Sequence, residues 1–149
     1  MADRTYWAQV FTPETWQRFL DYGARTTGFR GGRWGHVQKL RPGDYLLCYL
    51  SGISKWVGIL EVKADPYLDT TPIWDDDLFP CRADVKVMSA LPVELAIPIK
   101  NMRHELSIFK VTNWSLYLIG SPFKWKASDG EVVLKAVLEA QSKIQKEVK

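Results

Sequence analysis

The chain reads as an α+β protein: a small mixed sheet of five to six strands, curled toward a barrel, with flanking helices and a C-terminal helix. Three observations point there. Apolar alternation marks short strands at residues 6–11, 45–50, 55–63 and 81–87, with few helices between them. A capped helix follows the first strand. A longer amphipathic helix closes the sequence.

Each element has a local cause. In residues 6–11, Tyr6, Ala8 and Val10 alternate with Trp7, Gln9 and Phe11. Thr12 then serves as N-cap, Pro13 sits where a missing N–H costs nothing, Glu14 complements the helix dipole, and Gly23 supplies a left-handed stop. Trp16, Phe19 and Leu20 share one helix face and belong to the core. Residues 26–35 (TTGFRGGRWG) carry four glycines and no periodicity, so a loop is expected in which backbone approaches a ligand closely. A helical turn over 36–40 leads to Arg41-Pro42-Gly43-Asp44, a turn that launches a central strand apolar on both faces. Ser51 to Ser54 turns that strand back into a hairpin.

Three prolines punctuate residues 65–80, an ordered excursion carrying Trp74. In 81–87, Ala83, Val85 and Val87 are expected inward, and Arg82, Asp84 and Lys86 outward. A weaker strand over 91–99, a short helix over 100–106, and an aromatic stretch over 113–125 with a helical turn or edge strand follow. Ser128 and Glu131 have the form of a capping box, ahead of Val133, Val137, Ala140 and Ile144 at helical spacing.

At 149 residues the chain has the size of a single domain, 1–149, with a self-standing core. No apolar run approaches the ~20 residues of a membrane span, and the start lacks the features of a secretory signal. Cys48 and Cys81 match neither a metal spacing nor a redox pair, and read as reduced, buried thiols of a cytoplasmic protein. The net charge of +3 is mild, but its placement is informative. Arg25, Arg30, Arg33, Lys39 and Arg41 precede any acid until Asp44, while Asp75, Asp76 and Asp77 form a compact acidic run. A basic loop beside aromatic residues is a phosphate footprint.

Chemistry is harder to find. His36 and His104 lie near no cysteine or paired carboxylate, so no catalytic set is expected. Adjacent carboxylates at 75–77 point in different directions and call for no metal. Gly31-Gly32 extends to no nucleotide-cofactor fingerprint, and no cofactor is implied. What stands out is seven tryptophans, several beside Gly, Ser, Pro or Asp. Trp7, Trp16 and Trp56 fall in strands or on a helix face and read as core. Trp34, Trp74 and Trp114 fall in loops, where a rigid π-face with a polar handle serves stacking.

The segments TYWAQVF, GFRGGRWGHVQKLRPGDYLLCYLSG and WVGILEV running into DPYLD resemble the EVE domain, a PUA-like family related to the YTH readers of modified RNA. The ordered set Tyr6-Trp7, Gly43-Asp44, Tyr49, Gly58, Pro66-Tyr67 and Asp69 carries the likeness. The resemblance implies a barrel-like sheet and a pocket for one nucleobase, flipped out of DNA or RNA. It also implies a sensor that accompanies modification-dependent restriction nucleases. Trp74 falls where YTH domains have a cage tryptophan. Arg30 stands where they have another, and Trp34, four residues later, takes its place. Ser51 matches a serine that approaches the base.

A flipped base wants two aromatic walls and a few fixed edge groups. The walls are Trp34 and Trp74, with Trp114 and Trp125 in reserve. Edge contacts fall to Ser51, Asn113, Thr27 and the N–H groups of Gly31 and Gly32, with Asp75 accepting from an exocyclic amine and the Tyr49 hydroxyl near the pocket floor. Arg30, Arg33, Lys39 and Lys124 hold phosphates. The favoured ligand is methylated or hydroxymethylated cytosine in DNA, bound without catalysis, with a nuclease or NTPase as partner. The alternatives are an N6-methyladenosine-type RNA reader, a small-molecule site in the same pocket, and a protein-interaction module.

Overall fold

The computed structural model describes residues 4–75 and 77–147. Its elements are β1 (Tyr6–Phe11), α1 (Pro13–Asp21), β2 (Thr26–Phe29), α2 (Trp34–Val37), β3 (Tyr45–Leu50), β4 (Lys55–Val62), β5 (Tyr67–Leu68), β6 (Cys81–Ala90), β7 (Ile97–Pro98), β8 (Phe123–Trp125) and α3 (Ala127–Glu147). Six strands run in the order β2-β6-β4-β3-β1-β8, with β5 added to β6 and β7 to β4. β1 and β3 are parallel; every other pairing is antiparallel. This mixed sheet curls into a half-barrel flanked by helices, the α+β architecture expected.

Strand alternation divides the core in two. Trp7 and Phe11 of β1, with Leu46, Cys48 and Leu50 of β3, face an inner cluster that α1 closes with Trp16 and Phe19. Tyr6 and Ala8, with Tyr45, Leu47 and Tyr49, face an outer cluster covered by Val133 and Val137 of α3. A central strand buried on both faces is the pattern that the continuous apolar run of 45–50 foretold.

Two polar devices fix the inner layer. Thr12 Oγ1 accepts from the Thr15 N–H (3.0 Å) while Thr15 Oγ1 accepts from the Thr12 N–H (2.9 Å), a reciprocal cap on α1. Gly43, at φ +94°, turns the chain so that the buried Asp44 carboxylate accepts from the Trp7 indole N–H (3.0 Å) and the backbone N–H groups of Arg41 (3.0 Å) and Thr5 (3.2 Å).

Several expectations are corrected. Residues 26–29 form β2, because Thr26 to Phe29 pair with Asp84 to Cys81 and so gain a ladder that their composition alone did not announce. Arg82, expected outward, is 1% exposed. The 65–80 excursion folds over it, and its guanidinium donates to the carbonyls of Thr71, Leu78 and Phe79, which satisfies a buried charge. The strand expected over 91–99 shrinks to Ile97–Pro98, since Pro92 and Pro98 lack the donors a ladder needs. The helix expected over 100–106 is a 3-10 turn, Ile99–Met102. α3 begins at Ala127, so Ser128 lies inside its first turn and is not its cap. Asp129 is turned to Ser107 instead, accepting from its N–H (2.8 Å) and hydroxyl (2.7 Å). Among the described residues no helix is long and apolar enough to cross a membrane. Both cysteines are free and buried, and burial pushes the Cys48 thiol well above its ordinary range.

Candidate functional site

A half-barrel leaves a seam between its outer strands, and here side chains bridge it. Gln9 reaches inward from β1, and its amide nitrogen donates to Thr27 Oγ1 (2.6 Å) and the Gly28 carbonyl (3.3 Å) on β2. The Gln9 side-chain oxygen is buried with no partner among the described residues. Further along, Arg33 Nε and Nη2 donate to the carbonyls of Ser121 and Pro122 (3.3 Å each), and Ser121 Oγ accepts from the Val10 N–H (3.1 Å). β1 and β3 end at this mouth, where the Ser51 N–H donates to the Phe11 carbonyl (2.8 Å) and the chain passes into Thr12.

Next to it a cleft of about 360 Å³ opens between the first turns of α1 and the end of the excursion, lined by Thr12, Glu14, Thr15, Arg18, Trp74 and Asp75. Trp74 forms its floor. The ring is 5% exposed, its N–H donates to the Thr15 carbonyl (3.1 Å), and Phe79 packs edge-on at 5.2 Å. Behind it, a Cβ on Gly28 would lie 2.8 Å from the ring and 2.8 Å from the Phe79 carbonyl oxygen, so only glycine fits there. Arg18 donates through Nε to the Ile73 carbonyl and pins the segment to α1. The expectation of Trp74 as a loop residue apart from the core is therefore corrected: it is anchored in the inner core. Asp75 stands exposed at the rim. Asp76 lies outside the described residues.

The basic loop flanks the mouth. Arg30 and Lys39 are exposed, and Gly31 and Gly32 open a 3-10 turn over Gly31–Arg33. Trp34, first residue of α2, is half-buried against the inner core. His36 is exposed but held below the usual imidazole range by partial desolvation and by the neighbouring charges of Arg33 and Lys39. The arginines and lysine carry the formal positive charge of this loop.

The structure thus places Trp74 and Asp75 in one cleft, with Ser51, Arg30, Arg33, Trp34 and Lys39 along the adjoining mouth and loop. Thr27, expected at the base edge, is corrected: it is fully buried in β2 with its hydroxyl taken by Gln9. Other candidates lie elsewhere. Tyr49 is corrected: its position in β3 turns it to the outer cluster, edge-on to Trp56 at 5.1 Å. Asn113 is exposed just before the 3-10 helix Trp114–Leu118, and Trp114 packs on the outer layer, tilted against Phe109 at 4.7 Å. Trp125 is buried there, its N–H on the Tyr117 carbonyl (3.0 Å). Lys124 is exposed on β8, in register with Trp7. Sequence reasoning missed Gln9, Thr15 and Arg18. A lone glutamine between Trp7 and Phe11 on the inward face of an apolar strand was the available signal for the first.

A family model described as the EVE domain matches residues 5–121. No curated protein matches the chain. Among solved structures, a hypothetical protein from Leishmania major is similar at 17% identity, covering 93% of this chain and 98% of its own, with a TM-score of 0.66. The Mmi1 YTH domain, solved in complex with RNA, is similar at 12% identity over 94% of this chain and 81% of its own, with a TM-score of 0.65. The Pho92 YTH domain, solved in complex with m6A, is similar at 13% identity over 92% and 85%, with a TM-score of 0.64. At these identities the likeness is one of fold, which the half-barrel shares. The family match spans most of the sequence, from Thr5 before β1 to Ser121 at the seam, and the chain belongs to the EVE domain family.

Proposed function

We propose that this chain is a non-catalytic nucleic-acid reader that takes one flipped, modified base into the Trp74 cleft, with methylated or hydroxymethylated cytosine in DNA as the favoured ligand. It acts as one domain, inside the cell, beside a nuclease or NTPase that does the cutting. The observation that carries the reading is the pairing of an indole floor with the Asp75 carboxylate at the rim of a cleft beside a cationic loop. A carboxylate accepts from the exocyclic amine of cytosine or adenine and offers nothing to a carbonyl at that edge. Arg30 and Lys39 lie outside the cleft, where the backbone of an extruded nucleotide returns to its strand. Trp34 and Ser51 complete the mouth. Arg33 adds charge there while tethering Ser121 and Pro122.

A methyl group alone contributes about 0.8 kcal/mol, a factor of roughly four. Stronger selectivity comes from an edge group left unpaired by the wrong base. Oligonucleotides identical except for one central 5-methylcytosine, 5-hydroxymethylcytosine, N6-methyladenine or unmodified base, in DNA and in RNA, test the reading. Preference for one modified base by tenfold or more is the expected result, and equal, weak binding across the set would sink it. The YTH neighbours solved with RNA and m6A favour a second reading, an N6-methyladenosine reader, which the RNA half of the same panel decides. Arg30→Ala is expected to weaken every strand alike and to reduce the slope of log affinity against log salt by about 1. An effect confined to one base would assign Arg30 to the base edge.

A further inference from the structure

The segment before β8 carries an apolar ridge that neither core absorbs. Trp114–Leu118 is a 3-10 helix, in which positions three apart stand one above the other. Leu116 is 46% exposed and Ile119, just past its end, 57%. The Ile119 N–H donates to the Leu116 carbonyl (3.4 Å). Gly120, at φ +66°, then turns the chain against Arg33, whose guanidinium carbon lies 3.4 Å from where a Gly120 Cβ would stand. Arg33 on one side of the seam and Val10 on the other hold Ser121 and Pro122 in place. Ile119 is therefore a fixed apolar point, mounted on the basic loop and next to the mouth.

We infer that Ile119, backed by Leu116, is a wedge that enters a nucleic-acid duplex and fills the stack vacated by the flipped base. The target is accordingly double-stranded. The inference rests on the reader function above and goes beyond it by choosing the duplex over a single strand. Extruding a base from a duplex leaves a gap whose faces have lost their stacking partner, and an apolar side chain inserted there offsets part of that loss. A single strand has no such gap. The surroundings also choose the occupant: Arg33 lies against the turn, Arg30 is exposed on the same basic loop, and Lys124 is exposed on the strand that follows the turn, charges that suit a polyanion. Anchoring at both sides of the seam removes the ordering cost that a mobile tip would carry into the complex.

The test uses the full chain and the DNA panel, each member as a single strand and annealed to its complement with 2-aminopurine beside the variable base. Wild type is expected to bind the annealed modified strand with a rise in 2-aminopurine fluorescence. Ile119→Ala is expected to weaken that binding by tenfold or more, to abolish the fluorescence rise, and to leave single-strand affinity within twofold. Ile119→Met, which keeps an apolar point, restores the duplex. Loss on both strand forms alike, or on neither, overturns the wedge while the reader function stands. A concentration-dependent dimer of the free protein that Ile119→Ala disperses also overturns it, by giving the ridge to a second copy. Failure of wild type to prefer any modified DNA strand in either form is separate, since it removes the DNA reading on which the wedge rests.

Discussion

Replacing Trp74 by alanine is expected to cost about 3–5 kcal/mol of folding stability, the range for truncating a buried large aromatic. The ring is 5% exposed, bonds the Thr15 carbonyl, and fills the space between Gly28 and Phe79, so its removal empties the inner core and frees the excursion from α1. Urea unfolding followed by circular dichroism measures the loss. A change below about 1 kcal/mol would mean that the excursion packs independently of its tryptophan. Trp74→Phe separates fold from site: it keeps a ring against Gly28, gives up a hydrogen bond worth about 0.5–1.5 kcal/mol, and presents a smaller face. It is expected to remain folded while binding the preferred modified strand more weakly, by fluorescence anisotropy.

Asp44→Ala is the second large effect. This carboxylate is 5% exposed and gathers three donors, one of them the buried Trp7 indole. Hydrogen bonds to a charged acceptor are each worth about 1.5–3 kcal/mol, and a donor left buried without a partner costs about 1–3 kcal/mol more. A loss of about 3–5 kcal/mol is expected in thermal or urea unfolding, with Asp44→Asn intermediate because its one remaining carbonyl oxygen still accepts. If alanine and asparagine were equally mild, water would have to reach Trp7, and Asp44 would be a turn residue only.

The contrast between these residues explains what was legible beforehand. Asp44 could be read because its cause is local: Pro42, Gly43 and Asp44 spell a turn into an apolar strand, and the strand's two buried faces follow from its continuous run. The Thr12 cap and the core roles of Trp7, Trp16 and Trp56 were legible for the same reason. Trp74 and Arg82 were misjudged for different reasons: the partners of Trp74, Gly28 and Thr15, come from afar in sequence, whereas Arg82 is buried because the excursion just before it folds back over it and offers the carbonyls of Thr71, Leu78 and Phe79. Composition around them looked like an exposed loop, and tertiary packing overrode it. Strand β2 was missed by the same logic, since only pairing with β6 makes a sequence with that glycine extend. At the mouth, the basic loop and the pairing of Trp74 with Asp75 were readable. The outward turn of Tyr49 was readable too, had strand alternation been followed past Cys48. Gln9 across the seam needed the curl of the sheet.

The strand order has a further consequence for how the molecule is assembled and where it can be cut. The family match ends at Ser121, just short of β8, yet β8 is what pairs with the free edge of β1, and α3 is what covers Tyr6, Tyr45 and Trp56 from outside. A fragment trimmed at that boundary would expose a strand edge and an aromatic sheet face together, the combination that drives edge-to-edge aggregation. During translation the same condition holds for the nascent chain, because Tyr6 waits for Trp125 before its strand is sealed. The inner half-barrel and its cleft belong to the stretch up to Ser121, whereas their solubility depends on the strand and helix that follow it.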